Sequence, residues 1–379
     1  MKRILLLLMT AGLWHSALLA NSTDNGKAAP VSITIKNTSA IARTEEIVEI
    51  PYTKLGRLTG AFKLVNKQTG KEVPYQIAYE GSPQPQLLLV QVSVPAHNSV
   101  IITAVAGQPA VVKPRTYARY VPERKDDFAW ENDRIAFRMY GAALENFPAE
   151  NAHGIDVWTK RTPELVLNRW YKTNDYHHDN GQGLDYYHVG MTLGGGDIAP
   201  YLHDSLYFPK NYRTWKVLDS GPLRCTFQLG YEPWQVDGKT VTVVKTISLD
   251  AGAQLNKMSV SYKLQEGDSL PVAAGIVKRA DPGTLLLDEK TGVLGYWEPE
   301  HGADGITGLG LVIPVQKGHM KVTDQHLLAT ANASGKAPFV YYFGAAWNKA
   351  GQYTSAAAWF AYLQTFAAKK AAPLEININ

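Results

Sequence analysis

The chain has a single cysteine among its 379 residues, Cys225. One thiol excludes an internal disulfide. Cys225 lies in the alternating run LRCTFQLGY and reads as a small buried hydrophobe. Stability must then come from core burial, and a chain of this length buries enough surface without staples. Charge is sparse too: Asp, Glu, Lys and Arg make up 19% of residues, and the net charge is +4. No dense Lys/Arg block is present, which argues against a nucleic-acid partner. Beyond the first residues, no apolar run approaches the ~20 positions that a membrane span needs. The chain also lacks a Gly-x-Ser-x-Gly elbow, so a serine nucleophile is not indicated. The run Gly194–Asp197 has no phosphate-loop lysine, which argues against a nucleotide site.

The amino terminus sets the expected compartment. Lys2 and Arg3 precede the apolar run Ile4–Met9, and small residues Ser16, Ala17 and Ala20 lead into Asn21-Ser22-Thr23. This order predicts a secretory signal peptide over residues 1–20, cleaved after Ala20. With no cysteine near the cleavage zone, a lipid anchor is excluded. The expected product is exported, to the periplasm or beyond the cell, with no membrane contact after cleavage. Its oligomeric state is not legible in the sequence.

From Val31 onwards the pattern is β. Short alternating runs such as VSITIKN and IVEIPY are punctuated by turn residues, for example Lys67-Gln68-Thr69-Gly70. This predicts a small β-sandwich domain over about 30–110. A linker near Val111–Pro122 leads to longer strands, KTVTVVKTISLD and LNKMSVSYKL among them, with an Asp-Gly turn signal at Asp237-Gly238. These predict a large antiparallel two-sheet sandwich over 115–379. One helix is expected near the end. Thr354 or Ser355 can cap it, Trp359, Leu363 and Phe366 form its apolar face, and Lys369 and Lys370 suit its last turn.

Chemistry concentrates in Trp170–Tyr201. This segment holds His177, His178 and His188, the acids Asp175, Asp179, Asp185 and Asp197, several tyrosines and six glycines. Proton carriers and hydrogen-bonding groups on bendable backbone are what a polar ligand site needs. His177 is the first candidate proton carrier, since an imidazole titrates near working pH. Tyr187 is the second, ionising if a cation lies beside it. Arg134 or Arg169 could supply that cation, or clamp a carboxylate in bidentate fashion. His178 and His188 rank lower as proton carriers. Trp158, Tyr176, Asp179, Asp185 and His188 are candidates for binding a sugar, by ring face or by hydroxyl. Each aromatic considered singly is more readily a core residue. His177, Asp179, Asp185 and His188 are also metal-ligand types. No cofactor is required, but calcium is an option and a better one than zinc, although the spacing matches neither metal's usual motif.

Two further loops matter. GYWEPEHGADG crowds Glu298, Glu300, His301 and Asp304 among glycines. It is either a solvated turn or, if folded towards the first segment, the source of a second acid/base group in Glu298 or Glu300. YYFGAAWNKAG offers Trp347 and Asn348 as sugar contacts.

The pattern Tyr176-His177-x-Asp179-x-Gly181-x-Gly183-x-Asp185-x-Tyr187-x-Val189-Gly190, followed by Thr192-Leu193-Gly194, resembles the secreted bacterial family catalogued as domain of unknown function 4861. The resemblance extends from NTSAIARTEEIVEIP to YYFGAAW, nearly the whole mature chain. It implies an all-β chain whose second domain is similar to the galactose-mutarotase-type supersandwich. It also implies a setting among enzymes that degrade pectin and uronates. That fold serves epimerases, glycosidases and lyases alike, so it does not select a reaction. Three expectations stand. The first is an exported lyase acting on uronate oligosaccharides by β-elimination. The second is a hydrolase or epimerase pairing His177 with Glu298 or Glu300. The third is a glycan-binding protein without turnover.

Overall fold

The computed structural model describes residues 31–379 except 57, 59, 265–268 and 314–318. The expected signal peptide, residues 1–20, lies outside the described residues. The chain is all-β, as its alternation predicts, with two α-helices among the described residues. None of their helices is long and apolar enough to cross a membrane.

The small sandwich faces a five-stranded sheet with a three-stranded one. Alternation along Ser32–Asn37 and Arg43–Pro51 sends Ile33, Ile35, Val48 and Ile50 inward against Leu88, Val90 and Ile102. The last strand of the chain, Glu375–Ile378, returns from the large unit and pairs antiparallel with Ser32–Asn37. The two chain ends therefore close one sheet together.

The large unit sets two five-stranded sheets against a nine-stranded one. Their shared core joins Trp130 and Phe137 from one five-stranded sheet, Val272 and Ile276 from the other, and Phe227, Ile247 and Phe343 from the nine-stranded sheet. Cys225 is buried in this core, in strand Arg224–Gly230, and burial pushes its thiol up to about 12. The Asp237-Gly238 signal makes a two-residue turn between Trp234–Val236 and Lys239–Asp250, both residues at positive φ (48° and 77°).

The expected helix spans Ala356–Ala371, and the Ser355 hydroxyl accepts from the Ala358 amide at 3.3 Å. It lays Trp359 and Leu363 on the outer face of the nine-stranded sheet, against Leu255, Val293, Trp297 and Val312. Full burial of two such side chains stabilises by about 1.5–3 kcal/mol each. The sheet makes room with glycine: a Cβ on Gly310 would sit 2.4 Å from Leu363. A second, short helix, Leu167–Thr173, was not expected from the sequence.

Candidate active site

Two arginine centres flank the stretch Asp185–His188. The first is buried. Arg138, on strand Ile135–Met139, stands opposite Asp156 in the antiparallel register. Its guanidinium meets three carboxylates: Asp156 at 2.6 Å, Asp185 at 3.1 Å and Asp127 at 3.5 Å. Trp158 donates its indole N–H to Asp156 at 3.0 Å, and Arg138 lies 5.0 Å from the Trp158 ring and 5.1 Å from that of Tyr140. One cation cannot balance three buried anions. Burial pushes the Asp127 carboxyl up to about 7 against the pull of Arg138. Burial first, and then the nearby Asp156, push Asp185 up as well.

His177 stands beside this centre. Its side chain is 61% exposed, with Nδ1 3.1 Å from the Asp185 carbonyl and 3.9 Å from the Asp185 carboxylate. A carbonyl only accepts, so Nδ1 is the donor in this contact, which leaves Nε2 facing away from it.

The second centre is more open. Arg279 follows strand Ser269–Val277, and Glu298 follows Val293–Trp297. The Arg279 Nε meets the Glu298 carboxylate at 2.7 Å, and its Nη1 donates to the His188 carbonyl at 2.6 Å. The guanidinium lies over the Tyr187 ring, 4.4 Å from its centre. Glu298 is buried, and that burial outweighs the ion pair and pushes its carboxyl up to about 7. Next to it, the Tyr186 ring packs 5.3 Å from the exposed His301, and the Tyr186 hydroxyl lies 2.5 Å from that of Thr307. His301 has its Nδ1 3.2 Å from the Asp304 carboxylate. It is close enough to Glu298 for its charge to act on the carboxyl.

Several expected site residues fall elsewhere. Trp158 and Tyr176 are buried and stacked on each other at 4.7 Å, with Arg138 against Trp158, so neither offers a ring face to a sugar. The apolar surface of two large rings is worth more in the core than at a ligand site. Arg134 sits in the turn before Ile135–Met139, at the opposite end of that strand from Arg138. Its charge acts on Tyr353, just before the C-terminal helix, and on Tyr362 within it. Arg169, on the short helix, is exposed and donates to Gln182 at 2.5 Å. The cation beside Tyr187 is thus Arg279, not Arg134 or Arg169. Nor does that cation ionise the phenol: burial holds Tyr187 well above its ordinary value, so it stays protonated. Its hydroxyl finds no hydrogen-bond partner among the described residues.

Asp179 pairs with Arg161 and accepts from the Gly181 and Gly183 amides, both at 3.0 Å. Gly183 is required there: its φ is 122°, and a Cβ would meet the Thr159 carbonyl at 2.0 Å. The His188 side chain is exposed, and so is Glu300. Trp347 is buried under Arg161 at 4.6 Å, and Asn348 caps the Ile306 amide at 2.9 Å. Both serve the 301–306 loop, since Trp347 also donates to the Asp304 carbonyl at 2.8 Å. Among the described residues, no group of three or more His, Cys, Asp or Glu is placed to hold a metal ion. His177, Asp179, Asp185 and His188 are therefore not a ligand set.

Arg279 was missed because nothing local marks it, although the Glu298–Asp304 loop that meets it is legible as an acid/base cluster. The chain has known relatives. The chain belongs to the family described as a domain of unknown function (DUF4861), whose sequence model matches residues 35–376. It is 30% identical over 374 residues to the uncharacterized protein P7 of Formosa agariphila, covering 92% of this chain and 93% of that one. Among solved structures it is similar to a protein in the Glycosyl Hydrolase Family 38 from Enterococcus faecalis, with a TM-score of 0.51 at 9% identity. An alpha-mannosidase from Enterococcus faecalis V583 gives a TM-score of 0.49 at 10% identity. The chain spans 47% and 46% of those two structures, and the likeness is one of fold.

Proposed function

We propose that the protein is an exported carbohydrate-active enzyme that breaks acidic, uronate-containing oligosaccharides of the pectin type by β-elimination. The observation that carries the reading is the Arg279–Glu298 pair, a ring-backed guanidinium joined to a carboxyl poised near pH 7. β-Elimination from a uronate needs a cation for the carboxylate, a base for the C5 proton and an acid for the leaving oxygen. Arg279 suits the first role, because a flat guanidinium on an aromatic face presents its edge to a carboxylate. A substrate carboxylate there competes with Glu298 and drives Glu298 towards its neutral form. Neutral Glu298 can then protonate the leaving oxygen. His301, held at Nδ1 by Asp304, presents Nε2 as the base, and His177, held by the Asp185 carbonyl, is the second imidazole available. The C5 proton passes to imidazole, its electron pair forms the C4=C5 bond, the C4–O bond breaks, and the oxygen takes the Glu298 proton.

A second reading is a hydrolase or epimerase. The near-neutral Glu298 favours it, since a buried carboxyl that keeps its proton is also what glycoside hydrolysis uses as acid. The fold likeness to a Glycosyl Hydrolase Family 38 protein is consistent with either reading.

The test is to incubate the protein with oligogalacturonates and other uronate polymers and follow absorbance at the unsaturated-uronide band. The lyase reading expects a rising signal that slows at least about 100-fold in Arg279→Gln. Products without a double bond would select the second reading. Saccharide binding with no product from any uronate polymer would overturn the lyase and leave a glycan-binding protein.

A further inference from the structure

The seam between the two sandwiches holds a half-open pocket of about 270 Å³, continuous in its lining with a neighbour of about 160 Å³. Small-molecule pockets run to ~300–1,000 Å³, so the pair together offers room for a short saccharide. It shares no lining residue with the site around Tyr187 and Arg279. Strand Arg43–Pro51, the end of helix Ala356–Ala371 and the chain's last strand form its walls with the nine-stranded sheet.

Charge in this seam is unevenly paired. Glu46 is held by Arg43 at 3.2 Å. Asp250 and Glu49 are held by Arg224 at 2.5 and 2.6 Å, with Lys257 3.9 Å from Glu49. Glu45 lies 3.8 Å from Arg115, so each of the four carboxylates of the lining has a cation beside it. Lys369, half-buried, and Lys370, exposed, also line the cavity, and neither has an ion-pair partner among the described residues. The Lys370 ammonium instead lies 5.0 Å from the Tyr342 ring and 5.1 Å from that of Phe366. Both lysines titrate below the ordinary lysine value, with desolvation the largest cause. Two ammoniums without an ion-pair partner among the described residues, next to two aromatic rings and the Glu49 Oε2 that its ion pairs leave, form a site with a definite preference. The ammoniums take an anionic group, a ring takes the apolar face of a sugar, and the carboxylates accept from hydroxyls.

We propose that this seam is a second saccharide site, specific for a sugar bearing a carboxylate or a sulfate ester and held by Lys369 and Lys370. Occupancy would tie the small sandwich to the large one through the ligand. The test is calorimetric titration of the full chain carrying Arg279→Gln, which removes the carboxylate clamp of the other site. The probes are trigalacturonate, a sulfated disaccharide and neutral maltotriose. Either anionic probe is expected to bind, which also tells carboxylate from sulfate, and maltotriose is not. Adding Lys369→Gln and Lys370→Gln should weaken anionic binding about ten-fold or more, as loss of charge-assisted hydrogen bonds does. Lys370→Arg, which keeps charge and packing, should retain it. In the otherwise native chain, the two Gln substitutions should leave uronate turnover unchanged. No binding of either anionic probe, equal binding of maltotriose, or undiminished affinity after both Gln substitutions would each overturn the proposal.

Discussion

The two arginine centres use the same elements, guanidinium, carboxylate and aromatic ring, to opposite ends. Arg138 is 7% exposed and shared among three aspartates, each at most 4% exposed. Arg279 is 22% exposed and has one carboxylate. At the first, every donor points at a buried anion, and the surplus negative charge is absorbed by pKa values raised through burial. At the second, charge is nearly balanced, and one plane rests on a tyrosine ring. The first centre therefore reads as a scaffold that fixes Asp185, and with it His177. The second has a partner that can be exchanged for a ligand. A buried ion cluster resists change because each member left alone is costly, whereas a half-open pair can trade partners with water or substrate.

The sharpest way to break this contrast is to remove each cation. Arg138→Met should cost about 3–5 kcal/mol, because it strands buried carboxylates. Arg279→Met should cost no more than about 1 kcal/mol, because Glu298 can protonate near neutral pH. Urea unfolding of both variants checks this, and equal losses would erase the distinction.

The next effect is on pH. The folded chain keeps the Glu298 proton up to about pH 7, whereas the ordinary value is 4.5. Stability from this group is fully present below about 4.5 and is lost as pH rises towards 7, by up to about 3 kcal/mol. Asp127 adds in the same direction, from 3.8 towards about 7. Glu298→Gln should flatten part of the decline between pH 4.5 and 7 in thermal melts; an unchanged profile would mean that the carboxyl is ionised throughout.

The smallest effect is expected at Tyr187. Its hydroxyl is buried without a partner among the described residues, so Tyr187→Phe should leave stability unchanged or raise it by up to about 1 kcal/mol. Turnover should change by no more than a few-fold, since the ring and not the phenol backs Arg279. Loss of turnover with stability intact would transfer the proposed proton-donor role from Glu298 to Tyr187.

Much of this was legible before folding. Period-two alternation exposed the strands, Asp237-Gly238 marked a hairpin, and Ser355 with Trp359 and Leu363 marked the helix. The dense segment around His177 pointed to polar chemistry, and the Glu298–Asp304 loop to a second proton carrier. The short helix Leu167–Thr173 escaped because seven residues are too few to show a period. Trp158 and Tyr176, candidates for a sugar site though each is singly more readily a core residue, turn inward, and composition does not say which face of a segment does so.

Residue pattern alone sets the all-β class, the reliance on core burial in place of disulfides, the C-terminal helix and the chemical richness of two loops. These follow from local periodicity and from residue type, which a chain carries without folding. Only the tertiary structure decided which charges meet. Arg279 reaches the His188 carbonyl across 91 residues, Arg138 reaches Asp185 across 47, and the last strand closes the first sheet. Such meetings depend on strand register and sheet stacking. The free energy that selects them comes from burying the whole core, and no window of neighbouring residues contains it.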